Sequence, residues 1–195
     1  AGVAVRRRSG GNTRAVPGGA APAAGCCHRV GSAPICEGDR GGYATMALAH
    51  CGLADDRPKE DIVEVASKSG LLKVKREGEL LVLDFPADTV EPVTIPQMLI
   101  DALGREPIET YKGMTDYLLV YGVEEHVAGL TPDLCDLAMV PARGIIVTAP
   151  GRHVDFVSRF FAPQVGVPED PVTGSAHRTL TPYWSARLGK RELSA

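Results

Sequence analysis

Glu169-Asp170-Pro171-Val172-Thr173-Gly174-Ser175-Ala176-His177 is the stretch on which the reading of this chain turns. Pro171 fixes its own φ and pushes Asp170 toward an extended conformation. Gly174 lets the backbone come close to a ligand before it enters a helix. Amides opening that helix, from Gly174 to Ala176, lack intrahelical acceptors and sit at the positive end of the helix dipole, which suits a carboxylate. The Ser175 hydroxyl adds a donor, and Asp170 at the edge can exchange a proton or hold an amine or hydroxyl. An ordinary turn, in which Thr173 or Ser175 caps the helix, has the same composition, and the residues alone leave both readings open.

Working outward, Leu180, Tyr183, Trp184 and Leu188 recur at helical intervals, so a helix is expected over 175–188 with an apolar side in need of cover. Strands are expected over 116–121, 144–149 and 154–161, the second rich in branched residues. Thr131-Pro132 predicts a short helix over 133–139, capped by Thr131, while 123–128 either continues the preceding strand or begins an irregular link. A helix over 95–103 carries Pro96 in its first turn and stops at Gly104. Alternation over 62–66, 71–75 and 80–85, separated by Ser69-Gly70 and Glu77-Gly78, reads as an antiparallel meander. Gly42-Tyr43 leads into a small-residue helix over 44–50. Residues 1–40 hold no apolar period and read as irregular; with Ala1 in first place, a truncated or aberrant N-terminus is the expectation.

The 195 residues are 44% hydrophobic and 23% charged, which suffices for one ordinary core or two small ones. A net charge of -3, without a basic stripe interleaved with aromatics, argues against nucleic acid as the main partner. No apolar run reaches the roughly 18 to 20 residues of a membrane span, so a cytoplasmic protein without a membrane partner is expected. The five cysteines are odd in number and lack metal-ligand spacing, which predicts reduced thiols, no disulfide framework and no metal site. His50 and His177 read as helix-surface or turn residues rather than ligands.

Residues 154–163, the turn at 169–177 and Leu180-Thr181-Pro182-Tyr183-Trp184 together resemble the second-half signature of PhzF-like phenazine biosynthesis proteins. Gly42-Tyr43-Ala44-Thr45-Met46-Ala47 is similar to that family's first-half Gly-His-Ala-Thr-Leu-Ala motif, and Leu83-Asp84-Phe85-Pro86-Ala87 and Asp116-Tyr117-Leu118 also fit, so the resemblance covers roughly 41–191. It implies an α/β (α+β) protein of the diaminopimelate epimerase-like fold. Two pseudo-symmetric halves would each wrap a barrel-like mixed sheet around a central helix, with the active site between them. On this plan 1–40 is an irregular segment, 41–104 the remnant of the first half and 105–195 the second half, incomplete at both ends.

The resemblance further implies a cofactor-independent isomerase that moves a proton on a small carboxylate-bearing metabolite such as a dihydro-hydroxyanthranilate, commonly as a homodimer. Asp170 carries over as the catalytic acid/base, and Gly42, Tyr43, Gly174, Ser175 and Ala176 as substrate-binding residues. Two departures bear on activity. Tyr43 stands where the family has histidine, and a phenol of pKa about 10 is a poor proton carrier at neutral pH. The family's first-half glutamate motif is also not found between Ala1 and Arg40, where Glu37 stands in another context. The alternative is a catalytically inactive small-molecule binding or interaction protein on the same fold.

Overall fold

The computed structural model describes residues 2–8, 62–67, 70–77, 80–171 and 173–195. Gly42, Tyr43 and the helix expected over 44–50 lie outside the described residues. Contacts divide the chain into two units, Ala1–Pro86 and Ala87–Ala195. Residues 87–104, drawn above with the first half, belong to the second unit because Leu99, Ala102 and Leu103 pack into its core.

In the first unit, β1 (Gly2–Arg8), β2 (Ile62–Ser67), β3 (Gly70–Glu77) and β4 (Leu80–Pro86) form an antiparallel sheet in the order β1-β4-β3-β2. The meander appears where alternation and Gly-bearing turns placed it. Strand β1 corrects the reading of 1–40 as wholly irregular: Gly2 pairs with Pro86 and Arg8 with Leu80, so β4 supplies the order that a seven-residue pattern could not announce.

The second unit is built on a six-stranded sheet in the order β10-β9-β8-β7-β6-β5. Its strands are β5 (Glu91–Pro92), β6 (Glu109–Lys112), β7 (Asp116–Val120), β8 (Gly144–Pro150), β9 (Phe156–Ala162) and β10 (Val167–Asp170). All pairs are antiparallel except β7 with β8. That parallel step needs a crossover. Two short helices supply it, α2 (Glu124–Ala128) and α3 (Leu134–Ala138), after α1 (Gln97–Leu103) has connected β5 to β6. Helix α2 settles the open reading of 123–128. Helix α3 is capped by Asp133, whose Oδ1 accepts from the amides of Cys135 and Asp136, and not by Thr131. Pro96 is the N-cap of α1 rather than a residue inside its first turn.

Strand parity sorts the core into two layers. Leu119, Tyr121, Ile145, Val147, Ala149 and Phe161 face α1, α2 and α3 through Leu99, Leu103, Val127 and Leu137. Leu118, Val120, Ile146, Phe156, Phe160 and Ala162 face the other way, toward Leu180 and Trp184 of α4 (His177–Leu188). With both faces covered, β8 is buried from Gly144 to Ala149, which is why it reads as an unbroken apolar run. Trp184 stacks on Phe156 at 5.8 Å and 3° and donates from Nε1 to Thr148 Oγ1 at 3.0 Å, which in turn donates to the Val157 carbonyl at 2.7 Å.

Pro182 lies inside α4 and has no amide to give the Arg178 carbonyl four residues earlier. The backbone amide of Asp88 takes that place, donating to Arg178 O at 3.0 Å, and Thr179 Oγ1 donates to Asp88 Oδ2 at 3.3 Å. Gly113 leaves room for this carboxylate, since a Cβ there would meet Asp88 Oδ2 at 2.8 Å. Among the described residues no helix is long and apolar enough to cross a membrane.

Candidate active site

Strand β10 ends on Asp170, which pairs with Phe160 of β9 across a register shift. Beyond it a single 3-10 turn, Gly174–Ala176, leads directly into α4. The chain is anchored just ahead of the site by Glu169: its carboxylate receives Arg159 Nε at 2.7 Å and Nη2 at 3.0 Å. The same guanidinium donates from Nη1 to the carbonyls of Val127 and Leu130. Glu169 therefore fixes β10 to the end of α2 and leaves the following carboxylate, Asp170, as the one presented at the turn.

Thr173 stands at the head of this turn. Its hydroxyl makes no cap bond to the helix amides; it donates to Asp170 Oδ2 at 2.7 Å. Ala176, the N-cap of α4, contributes no side-chain cap either. Of the polar side chains of the turn, Thr173 is thus directed to Asp170 and not spent on closing the helix. His177 Nδ1 lies 2.9 Å from the Thr173 carbonyl. A carbonyl only accepts, so Nδ1 carries the proton of that contact.

The remaining expected residues fall differently. Gly174 is half-buried within the turn. Ala176 is buried, its methyl sits in the core with Leu180 and Trp184, and its amide donates to the Thr173 carbonyl at 3.2 Å. That donor is engaged by the protein, which narrows the anion-binding amides anticipated at 174–176. Ser175 is buried at 6% exposure, and its Oγ receives Arg143 Nη1 at 3.1 Å.

Arg143 and Asp116 were not singled out as site residues from the sequence. Arg143 donates from Nε to Asp116 Oδ1 at 2.8 Å and from Nη2 to Oδ2, a two-pronged pair with Asp116 only 3% exposed. The guanidinium also lies over the Phe160 ring at 5.3 Å. Gly144 permits this, because a Cβ at that position would stand 2.2 Å from the Phe160 ring. Lys112 caps the Tyr117 ring at 3.8 Å; burial lowers its ammonium pKa, partly offset by the Asp116 charge.

Among the described residues the buried polar side chains, Thr148 apart, gather at this end of α4. Asp88 meets Arg178 and Thr179, Asp116 reaches Ser175 through Arg143, and Thr173 holds Asp170. Polar groups are costly to bury without partners, so such a concentration marks a place where polarity is retained for a reason other than packing. No group of three or more His, Cys, Asp or Glu placed to hold a metal occurs among the described residues.

A mixed six-stranded sheet with one long helix on one face and short helices on the other is an α/β arrangement, and its solved neighbours place it in the diaminopimelate epimerase-like fold. The chain superposes on the crystal structure of a PhzF-family phenazine biosynthesis protein from Enterococcus faecalis with a TM-score of 0.74 and 42% identity, over 80% of this chain and 60% of that one. A family model described as phenazine biosynthesis-like protein matches residues 33–194, and the chain belongs to that family. Two relatives are proteins of Pseudomonas aeruginosa, each named as an uncharacterized isomerase. One is 47% identical over 162 residues, covering 83% of this chain and 62% of its own length; the other is 52% identical over 156 residues, covering 79% and 59%. The chain thus spans about three-fifths of the length of the curated relatives it matches.

Proposed function

We propose that this chain carries the second-half part of an isomerase site, in which Asp170 moves a proton on a small metabolite bearing a carboxylate, without a cofactor. The observation that carries the reading is the 2.7 Å bond from Thr173 to Asp170 Oδ2, made in place of a helix cap. A hydroxyl donor on one carboxylate oxygen orients the group toward the turn, as a general base must be held to reach its proton. The base takes a proton from one carbon of the substrate and becomes a carboxylic acid. It then returns that proton to a second position, so substrate and product differ only in where the hydrogen and the double bond lie. Ser175 and the turn at Gly174 bind the substrate carboxylate in this reading. The names of the Pseudomonas relatives support the reaction class. A cytoplasmic setting belongs to the same proposal.

The test is proton exchange in deuterated water with a dihydro-hydroxyanthranilate as probe, followed by mass spectrometry. Asp170→Asn, which keeps the shape and removes the base, is expected to slow deuterium incorporation by about 10²- to 10⁴-fold while the probe still binds. Binding by the unaltered chain with no exchange above the buffer rate would reject the enzyme and leave a binding protein.

A further inference from the structure

We infer that Arg143 is a positioning residue that fixes the polarity of Ser175, so that the site takes an anionic oxygen at that point and discriminates against a nitrogen donor. This rests on the proposed placement of a carboxylate at the 174–175 turn. A guanidinium has only donors, so Ser175 Oγ must be the acceptor in the 3.1 Å contact with Arg143 Nη1. A serine hydroxyl has one proton to give. Ser175 is 6% exposed, and among the described residues its Oγ makes no other hydrogen bond, so none of them takes its proton. A buried hydroxyl left in that state is a donor awaiting an acceptor.

The device depends on the guanidinium being unable to turn. Asp116 grips Nε and Nη2 in a fork, and the Phe160 ring covers one face, with Gly144 making the space. Only Nη1 is left to face the serine. Because Asp116 balances the charge of Arg143, the pair acts chiefly by direction. The second lone pair of Ser175 Oγ still lies beside a cation, which is a poor place for an ammonium or amide N–H.

The probes are 2-aminobenzoate and 2-aminobenzamide, alike in shape and different in what they offer a hydroxyl, titrated calorimetrically into the full chain. The unaltered chain is expected to prefer the benzoate by about tenfold, the discrimination one charge-assisted hydrogen bond supplies. Arg143→Met and Ser175→Ala should each bring the two affinities to within about twofold, and the double variant should lose nothing further, because one device is broken in each. Arg143→Lys, which keeps the charge but not the fork, should fall between, and it serves if the methionine variant does not fold. If Arg143→Met and Arg143→Lys keep the full preference, or if the Arg143 and Ser175 losses add, the inference falls while the carboxylate site stands. If the unaltered chain binds both probes equally, or neither, the inference falls together with that site.

Discussion

Helix α4 has a carboxylate-arginine pair at each end, and the two are built to different purposes. At its start, Asp116 is 3% exposed, grips Arg143, and through it reaches Ser175, whose hydroxyl proton no described residue takes. At its last turns, Glu109 is 28% exposed and receives Tyr111, Tyr183 and Arg187, while Arg187 Nη1 also donates to Tyr183 Oη. The β6–β7 hairpin sets the spacing, because Glu109 begins β6 opposite Val120 whereas Asp116 begins β7 opposite Gly144. One cluster is closed, each donor and acceptor serving its neighbour, and reads as a clasp holding α4 to the sheet. The other ends, among the described residues, on the Ser175 hydroxyl. The proposed site is thus distinguished from the clasp by a polar chain that does not close on itself among the described residues.

The largest effect is expected where the buried carboxylate is removed. Asp116→Ala leaves the Arg143 guanidinium without its fork in a mostly apolar setting and should cost about 3 kcal/mol, the lower end for breaking a buried pair, since Arg143 retains 27% exposure. The single tryptophan of the chain is Trp184 on α4, so denaturant unfolding followed by its fluorescence reports on this unit. A midpoint indistinguishable from the unaltered chain would show that water relieves Arg143 and that the two ends are alike after all.

Much of this contrast was only half legible in the sequence. The turn at 169–177 could be read because its chemistry is local: Thr173 and Asp170 are three positions apart, and proline and glycine announce the backbone. Arg143 could not, because it meets Ser175 across 32 positions and only the pairing of β7 with β8 brings Asp116 beside Gly144. Asp88 had a signal that went unused, since Pro182 in a helical pattern leaves a carbonyl four residues earlier in need of a donor. Among the elements, β8 was plain because both its faces are covered, and β7 and α4 followed from their apolar spacing. Strands β6 and β10 escaped notice. Glu109–Lys112 is half-buried throughout, and Val167–Asp170 is short and largely exposed, so neither carries an alternating pattern.

The clasp should respond to acid in a way that identifies it. Burial raises the pKa of Glu109, but hydrogen bonds from Tyr111, Tyr183 and Arg187 together outweigh it and hold the carboxyl below its ordinary value. A folded pKa below the unfolded one gives stability that is complete above the unfolded value and lost as pH falls through the folded one. Glu109→Gln is therefore expected to cost about 1 kcal/mol at neutral pH, modest because Arg187 is 45% exposed and screened by solvent. The midpoints of the two chains should converge on acidification below the glutamate range. The benzoate preference assigned to the other end should be unchanged in this variant. A gap that persists at low pH would mean that Glu109 contributes by packing and not by charge.

The smallest effect tests whether the clasp closes through a single phenol. Tyr183 donates to Glu109 Oε2 at 2.9 Å and accepts from Arg187, while its ring meets Tyr111 and Trp184 edge-on at 5.5 and 5.3 Å. Tyr183→Phe keeps both ring contacts and removes only the hydroxyl, for an expected loss of about 0.5 to 1 kcal/mol. Burial, followed by the neighbouring Glu109 carboxylate, pushes the Tyr183 phenol upward, and burial likewise pushes Tyr121 up to about 12. A raised folded pKa means that the contribution is intact below the ordinary phenol range and disappears as pH climbs through the folded value. An ultraviolet titration of the five tyrosines should accordingly lose one late-ionising phenol in Tyr183→Phe and retain the late signal of Tyr121. If the missing phenol instead ionises in the ordinary range, Tyr183 stands in water and Glu109 is held by Arg187 and Tyr111 alone, which would make the clasp an open cluster like the one at the start of the helix.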